Sequence, residues 1–167
     1  KTFENIKKAF IKYVKLLPDD GTLVINADDS NCLDLKKYTN ADIITYGIDN
    51  KDANFSATNI KYDNDGFASF DAYYNNELLD TFKLSIPGRH NVLNALACIS
   101  ICMKYNISKD IIKSALQDFT GAHRRFEYKG KIEGKASVYD DYGHHPTEIV
   151  ATAKSLMNKT YHQSWVV

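Results

Sequence analysis

Three stretches of this chain concentrate side chains able to bind or react. The first is Pro87-Gly88-Arg89-His90-Asn91-Val92-Leu93-Asn94-Ala95. Gly88 permits a close approach at the start of a helix, and Asn91 and Asn94, three apart, share one face near the N-terminus of that helix. A carboxamide donates and accepts at once, which suits the N6/N7 edge of an adenine. The free N–H groups of a helix N-terminus favour anions. The same residues can equally well cap the helix and meet water, and spacing leaves both readings open.

The second stretch, Gly121-Ala122-His123-Arg124-Arg125-Phe126-Glu127, sets two arginines at the entrance to an expected strand. Neighbouring strand residues project to opposite faces, so one arginine can enter a cleft while the other pairs on the surface with Glu127. The planar guanidinium fork matches phosphate; two solvated arginines are the alternative. In the third stretch, Val138 to Glu148, a strand ends in Asp140-Asp141 and is followed by Tyr142, Gly143, His144, His145 and a helix start at Pro146. Open α/β sheets bind ligands beyond the carboxyl ends of their strands. A carboxylate there accepts from ribose hydroxyls, or else the aspartates cap the next helix. A zinc reading of the histidine pair fails, because His145-Pro146-Thr147-Glu148 lacks the second histidine of H-x-x-E-H. The chain has no G-x-x-x-x-G-K-[ST], G-x-G-x-x-G or G-x-S-x-G run, so it lacks a loop able to cradle a triphosphate and its Mg²⁺.

Elements that would position these groups follow from periodicity. Phe3, Ile6, Phe10, Tyr13, Val14 and Leu17 recur at three- and four-residue steps and predict a helix over 2–17, stopped by Pro18-Asp19-Asp20-Gly21. Strands are expected at 22–26 and 42–46, with a short helix over 30–37 between them, for which Asp28-Asp29-Ser30 offers capping oxygens. From Asn54 to Ile86 apolar and polar residues alternate, broken at 63–66 and 75–76, which predicts three antiparallel strands in two hairpins. Helices are expected over 89–105, from Ser108 to Phe119, and from Pro146 to Met157; strands over 126–131, 135–139 and at the start of 164–167. The expected fold class is α/β: strands and helices of parallel type, a small antiparallel meander attached to them, and a β-α unit from about residue 136 that opens a further domain.

Composition narrows the function classes. A chain of 167 residues, 44% hydrophobic and 25% charged, is in the globular range, which excludes disorder, collagen and coiled coil. Twenty-one basic residues balance 21 acidic ones, whereas proteins that bind nucleic acid by neutralising phosphate carry a basic excess, so no nucleic-acid partner is expected. Residues 1–84 hold 10 basic and 14 acidic groups and residues 85–167 hold 11 and 7, with all five histidines (including His162) in the second half. Either this is chance or the anion-handling chemistry follows residue 85. No apolar run approaches the roughly 18–20 residues of a bilayer span, and the opening KTFENIKKAF is amphipathic, without the apolar core of a signal peptide. No membrane partner is expected. Cys98 and Cys102, four apart, are expected as small core residues, consistent with a reducing cytoplasm.

In their order and separation, IPGRHNVLNALA, GAHRRFEYKG and DDYGHHPTEI resemble the Mur ligases, the amide-forming enzymes of bacterial cell-wall synthesis. The resemblance spans essentially the whole chain, including the opening helix and NADDS. DDYGHHPTEI is its most specific run, and the tyrosine and glycine in it favour the L-alanine-adding branch over the related recycling ligase.

The resemblance implies that residues 1–135 are the later part of a central ATPase domain and 136–167 the truncated opening of a Rossmann-like C-terminal domain. It places the phosphate loop and the Mg²⁺-binding residues ahead of Lys1. It implies that Asn94 reads adenine with His90 and Asn91 in support, that Arg125 contacts the ATP phosphates as the catalytic cation, and that Asp141 holds the ribose. Tyr142 and His144 would face the amino-acid end of the substrate. To Arg89, His123, Arg124, Asp140 and His145 it assigns nothing. The implied reaction is ATP-dependent: the muramoyl carboxylate of UDP-N-acetylmuramate is phosphorylated, and the amine of L-alanine displaces phosphate from the acyl phosphate. The chain by itself is expected to be inactive. Its segment from about 136 is expected to pack loosely or to exchange with a neighbouring chain through exposed strand edges. Rival readings are a non-catalytic nucleotide-binding or interaction module, and a Mur ligase that adds a preformed peptide. The ligase reading requires Asn94, Arg125 and Asp141 to meet on one concave surface.

Overall fold

The computed structural model describes residues 2–167. Helix α1 (Phe3–Val14) starts at Thr2, whose hydroxyl accepts from the Asn5 N–H, and carries Glu4 in its first turn and Lys12 in its last, the signs its dipole favours. Its apolar stripe is only partly used: Val14 is buried, while Phe3, Ile6, Phe10 and Tyr13 are exposed. Strand β1 (Thr22–Asn26) leads into α2 (Ser30–Asp34), a 3₁₀ turn (Leu35–Tyr38) and β2 (Asp42–Gly47). The two strands run parallel, in register from Thr22↔Asp42 to Asn26↔Tyr46.

Of the acids expected to cap α2, only Asp29 does so, accepting from the Asn31 N–H at 2.8 Å. Asp28 instead holds the turn that leaves β2. Its carboxylate accepts the N–H groups of Ile48, Asp49 and Asn50 at 2.8, 3.0 and 2.8 Å. A Cβ on Gly47 would lie 2.6 Å from Asp28 Oδ1, so the residue between strand and turn must lack one.

Strands β3 (Phe55–Tyr62), β4 (Phe67–Tyr74) and β5 (Glu77–Pro87) follow as the expected meander. Asn75 and Asn76 both have positive φ, 48° and 68°, the conformation of a two-residue hairpin turn whose twist suits the flanking strands. The meander is attached to the parallel pair through β3. β3 pairs parallel with β2 through Tyr46↔Phe55 and Gly47↔Ser56, giving one mixed five-stranded sheet in the order β1-β2-β3-β4-β5. Helices α3 (Arg89–Lys104) and α4 (Lys109–Asp118) come next, then a two-stranded antiparallel sheet of β6 (Glu127–Ile132) and β7 (Ala136–Asp140), and α5 (Pro146–Met157).

The chain forms two compact units, one made of residues up to Thr58 with Asp71–Asp80 and Leu93–Ser108, the other of Asn59–Phe70, Thr81–Val92 and Lys109–Val167. The first buries Phe55, Ala57, Ala72, Leu96 and Ile99, with the Phe55 and Tyr74 rings 4.8 Å apart. The second buries Ala68, Phe70, Phe82, Leu84 and Ile112, with Phe70 and Phe82 stacked at 6.0 Å. In the second unit two bonds join the residues after α5 to the turn between β3 and β4. Lys159 donates to Asp65 O at 2.6 Å, and the Thr160 N–H to Asn64 O at 3.0 Å.

Two expectations are corrected. Cys98 is exposed and Cys102 only half-buried, because the buried face of α3 is taken by Val92, Leu96, Ile99 and Ser100, and a helix has one such face. Residues 164–167 form no strand: no ladder partner adjoins them among the described residues, and Trp165 and Val166 lie in solvent. No helix among the described residues is long and apolar enough to cross a membrane.

Burial separates two leucines. Leu96 is fully buried and Leu16 is 78% exposed. Leu96→Ala is expected to lower the unfolding free energy by about 3 kcal/mol and Leu16→Ala by less than about 0.5 kcal/mol, read by urea denaturation.

Candidate functional site

Beyond the end of β7, Asp141 joins three segments of the second unit. Its Oδ1 accepts the Gly143 N–H at 2.6 Å; its Oδ2 accepts the Phe126 N–H at 2.9 Å and the Thr152 hydroxyl at 3.1 Å. The Tyr142 N–H donates to Arg124 O at 2.8 Å, a second tie between the same two loops. A Cβ on Gly143 would lie 2.7 Å from Asp141 Oδ1, so this turn needs glycine for space.

These bonds correct the expectation that Arg124 and Arg125 enter a strand. β6 begins at Glu127, and Arg124 and Phe126 have φ of 57° and 49°. The backbone groups that a strand would give to a ladder, Phe126 N–H and Arg124 C=O, are given instead to Asp141 and Tyr142. Asp141 therefore bonds a turn in which Arg124 and Phe126 are left-handed, a conformation uncommon for non-glycine residues. Nor does either guanidinium pair with Glu127. That carboxylate accepts from Lys129 Nζ at 2.8 Å and the Arg124 N–H at 2.9 Å, with His123 Nδ1 at 3.1 Å. The ammonium of Lys129 foremost, then the Arg124 amide, hold its pKa down to about 2.

The two arginines do take different partners. Arg124 lies over the Tyr142 ring, 4.4 Å from its centroid, with Nε 3.6 Å from Asp140 Oδ2. Arg125 Nη1 reaches Glu148 Oε1 at 3.3 Å in an exposed pair. Glu148 belongs to the start of α5, where His145 and not an aspartate is the N-cap. His145 Nδ1 accepts from the Thr147 N–H while Glu148 Oε2 accepts from the His145 N–H, a capping box with Pro146 in the first turn. Arg125, then the amides of His145 and His144, lower the Glu148 pKa.

Gly88, at φ +103°, brings the start of α3 against α5: a Cβ there would meet Ser155 Oγ and the His90 ring. Ser155 is buried and donates its hydroxyl to Ala151 O at 2.9 Å. Asn91 Nδ2 donates to Pro87 O at 2.8 Å and so holds its own helix start. His90 ranks as exposed by area, yet the protein around its ring desolvates it enough to keep its pKa below the ordinary 6.5. Asp141 acts in the opposite sense, and Arg125 adds to the depression. The second unit holds His90, Arg125 and Asp141, and the charges of the latter two reach the His90 ring. Tyr142 and His144 pair beside them, rings 5.2 Å apart edge to face and both exposed, with His144 Nδ1 3.1 Å from Tyr142 O. Asn94 is exposed, one turn beyond His90 on α3, and belongs to the first unit.

The sequence reading passed over two residues of this arrangement. Glu148 was signalled by the N-cap-x-x-Glu spacing of 145–148, obscured because histidine is an unusual cap. Thr152 carries no signal beyond lying four residues after Glu148, on the same helix face. Among the described residues no three His, Cys, Asp or Glu side chains group as a metal ion would need.

Comparison with known proteins gives the following. Residues 1–102 match the family model of the Mur ligase middle domain. The UDP-N-acetylmuramate–L-alanine ligase of Acetivibrio thermocellus is 43% identical over 167 residues, covering 100% of this chain and 35% of that protein. The protein of the same name from Clostridium novyi is 46% identical over 158 residues, 95% of this chain and 34% of that one. The crystal structure of UDP-N-acetylmuramate-alanine ligase from Thermotoga maritima superposes with a TM-score of 0.76 at 25% identity, over 95% of this chain and 34% of that one. The chain spans about a third of the length of the curated relatives it matches.

The electrostatic coupling of His90 to Arg125 and Asp141 has a titration signature. With its folded pKa lowered, His90 favours the neutral ring, so its contribution to stability is present above pH 6.5 and lost as the pH falls below it. By NMR the His90 ring is expected to titrate below 6.5, lower still in Asp141→Asn and higher in Arg125→Gln. A midpoint indifferent to both substitutions would show that the three side chains are not coupled.

Proposed function

The chain belongs to the Mur ligase family, and from that premise we propose that it is a segment of an ATP-dependent ligase joining L-alanine to UDP-N-acetylmuramate in peptidoglycan synthesis. The observation that carries the reading is that relatives named for this reaction match the chain from end to end. In this reading residues 1–135 are the later part of the central ATPase domain and 136–167 the opening of a Rossmann-like C-terminal domain. ATP and a UDP-linked substrate place the enzyme in the cytoplasm.

Roles follow from chemistry. Phosphoryl transfer depends on cations placed around the charge of the transferring group. Arg125 suits this, because its pair with Glu148 is exposed and screened by solvent, and so exchanges readily for a phosphate oxygen. Asp141 suits the ribose: Oδ1 has a single amide donor and keeps capacity to accept a hydroxyl. Asn94, exposed on α3, offers its carboxamide to an adenine edge, with His90 and Asn91 supporting the helix start. Tyr142 and His144 face the amino-acid end. These groups offer no ligand set for a Mg²⁺ ion: no three His, Cys, Asp or Glu side chains among the described residues group as a metal ion would need. Its ligands are assigned to the remainder of the enzyme. In the reaction the substrate carboxylate oxygen takes the γ-phosphoryl group and ADP leaves. The alanine amine then forms the amide bond as inorganic phosphate departs with the acyl C–O bond broken.

Phosphate release tests the reading. With ATP, UDP-N-acetylmuramate and L-alanine, the 167-residue chain alone is expected to release none above background. The full-length enzyme should release it in an alanine-dependent manner, preferring L-alanine to glycine, L-serine and a tripeptide. Arg125→Ala in the full-length enzyme is expected to lower kcat by about 10²–10³-fold. Turnover by the chain alone, or preference for the tripeptide, would overturn the assignment.

A further inference from the structure

We propose that Thr152 is a positioning residue for the nucleotide site, fixing the Asp141 carboxylate and, through it, the loop that carries Arg125. The proposal rests on the reading of Asp141 and Arg125 as nucleotide contacts. Its ground is one shared oxygen. Asp141 Oδ2 accepts both the Thr152 hydroxyl at 3.1 Å and the Phe126 N–H at 2.9 Å, and Phe126 directly follows Arg125.

The other donors to Asp141, Phe126 N–H and Gly143 N–H, come from turns, and Phe126 itself is left-handed. Thr152 alone among these donors stands on a helix, in the second turn of α5. Side chains held by a regular element keep a site in place better than loops do. Two features fix that helix: its capping box, and the close approach of buried Ser155 to Gly88. The same face of α5 carries Glu148, four residues earlier, paired with Arg125. One helix face therefore sets both groups proposed to meet the nucleotide. Satisfying Oδ2 twice from the protein leaves Oδ1, with its single amide donor, as the oxygen able to accept from a ligand.

The test uses the full-length enzyme with Thr152→Val, Thr152→Ser, Asp141→Asn and the double variant Asp141→Asn/Thr152→Val. Loss of one such hydrogen bond is expected to raise the KM for ATP about 2- to 10-fold. The KM values for UDP-N-acetylmuramate and L-alanine should stay unchanged, while kcat should fall with the displaced Arg125 loop, by less than in Arg125→Ala. Thr152→Ser is expected to restore the KM, and Thr152→Val should add nothing once Asp141 is asparagine. Should the valine variant not fold, Thr152→Ala reports the same quantity. If Asp141→Asn raises the KM for ATP and removal of the Thr152 hydroxyl does not, Thr152 positions nothing; a lowered Tm with unchanged KM is the mark of a structural role only. If Asp141→Asn itself leaves the KM unmoved, the nucleotide reading of Asp141 fails first and the proposal with it.

Discussion

A single half-buried carboxylate organises the second unit. Asp141 receives two backbone amides and one hydroxyl from three segments that are distant in sequence. Hydrogen bonds to a charged acceptor are stronger than neutral ones, and here they set backbone conformation. They explain why Arg124 and Phe126 leave the strand region and why glycine follows Tyr142. The first unit uses the same device at the end of β2, where Asp28 gathers three consecutive amides from residues 48–50. In both, an aspartate supplies at a strand end the acceptors that the interrupted ladder no longer offers.

This arrangement combines rigidity with exchangeable charge. The backbone around Arg125 is held, yet its guanidinium rests only in an exposed pair with Glu148. A ligand phosphate can take over that partner without disturbing the turn. His90 complements the pair. Desolvation lowers its pKa, and the charges of Asp141 and Arg125 both reach its ring. Helix α5 ties the parts together by capping itself with Glu148 and bonding Asp141 through Thr152.

Much of this was legible in the sequence because it rests on local rules. The helix over 3–14, the parallel pair at 22–26 and 42–47, and the asparagine turn at 75–76 follow from periodicity, apolar runs and tolerance of positive φ. The chemistry-bearing stretches were legible too, and the second unit holds His90, Arg125 and Asp141 from all three of them. What escaped depends on partners far along the chain. Strand alternation misplaced Arg124 and Arg125 because it presumes a ladder, and the ladder groups go to Asp141 and Tyr142. Cys98 fell outside the core because Val92, Leu96 and Ile99 fill the one face α3 can bury. Residues 164–167 have strand-like composition but pair with no strand among the described residues. Thr152 is a helix threonine like any other until the fold brings Asp141 to it.

Amide hydrogen exchange at Phe126 and Gly143 measures the role of Asp141 most directly. Both amides should be protected in the native protein, and Asp141→Ala should speed their exchange at least about ten-fold, the loss of roughly one net hydrogen bond each. Leu116, inside α4, should exchange as before. Unchanged rates at Phe126 and Gly143 would mean that the turn holds itself and that the carboxylate organises nothing.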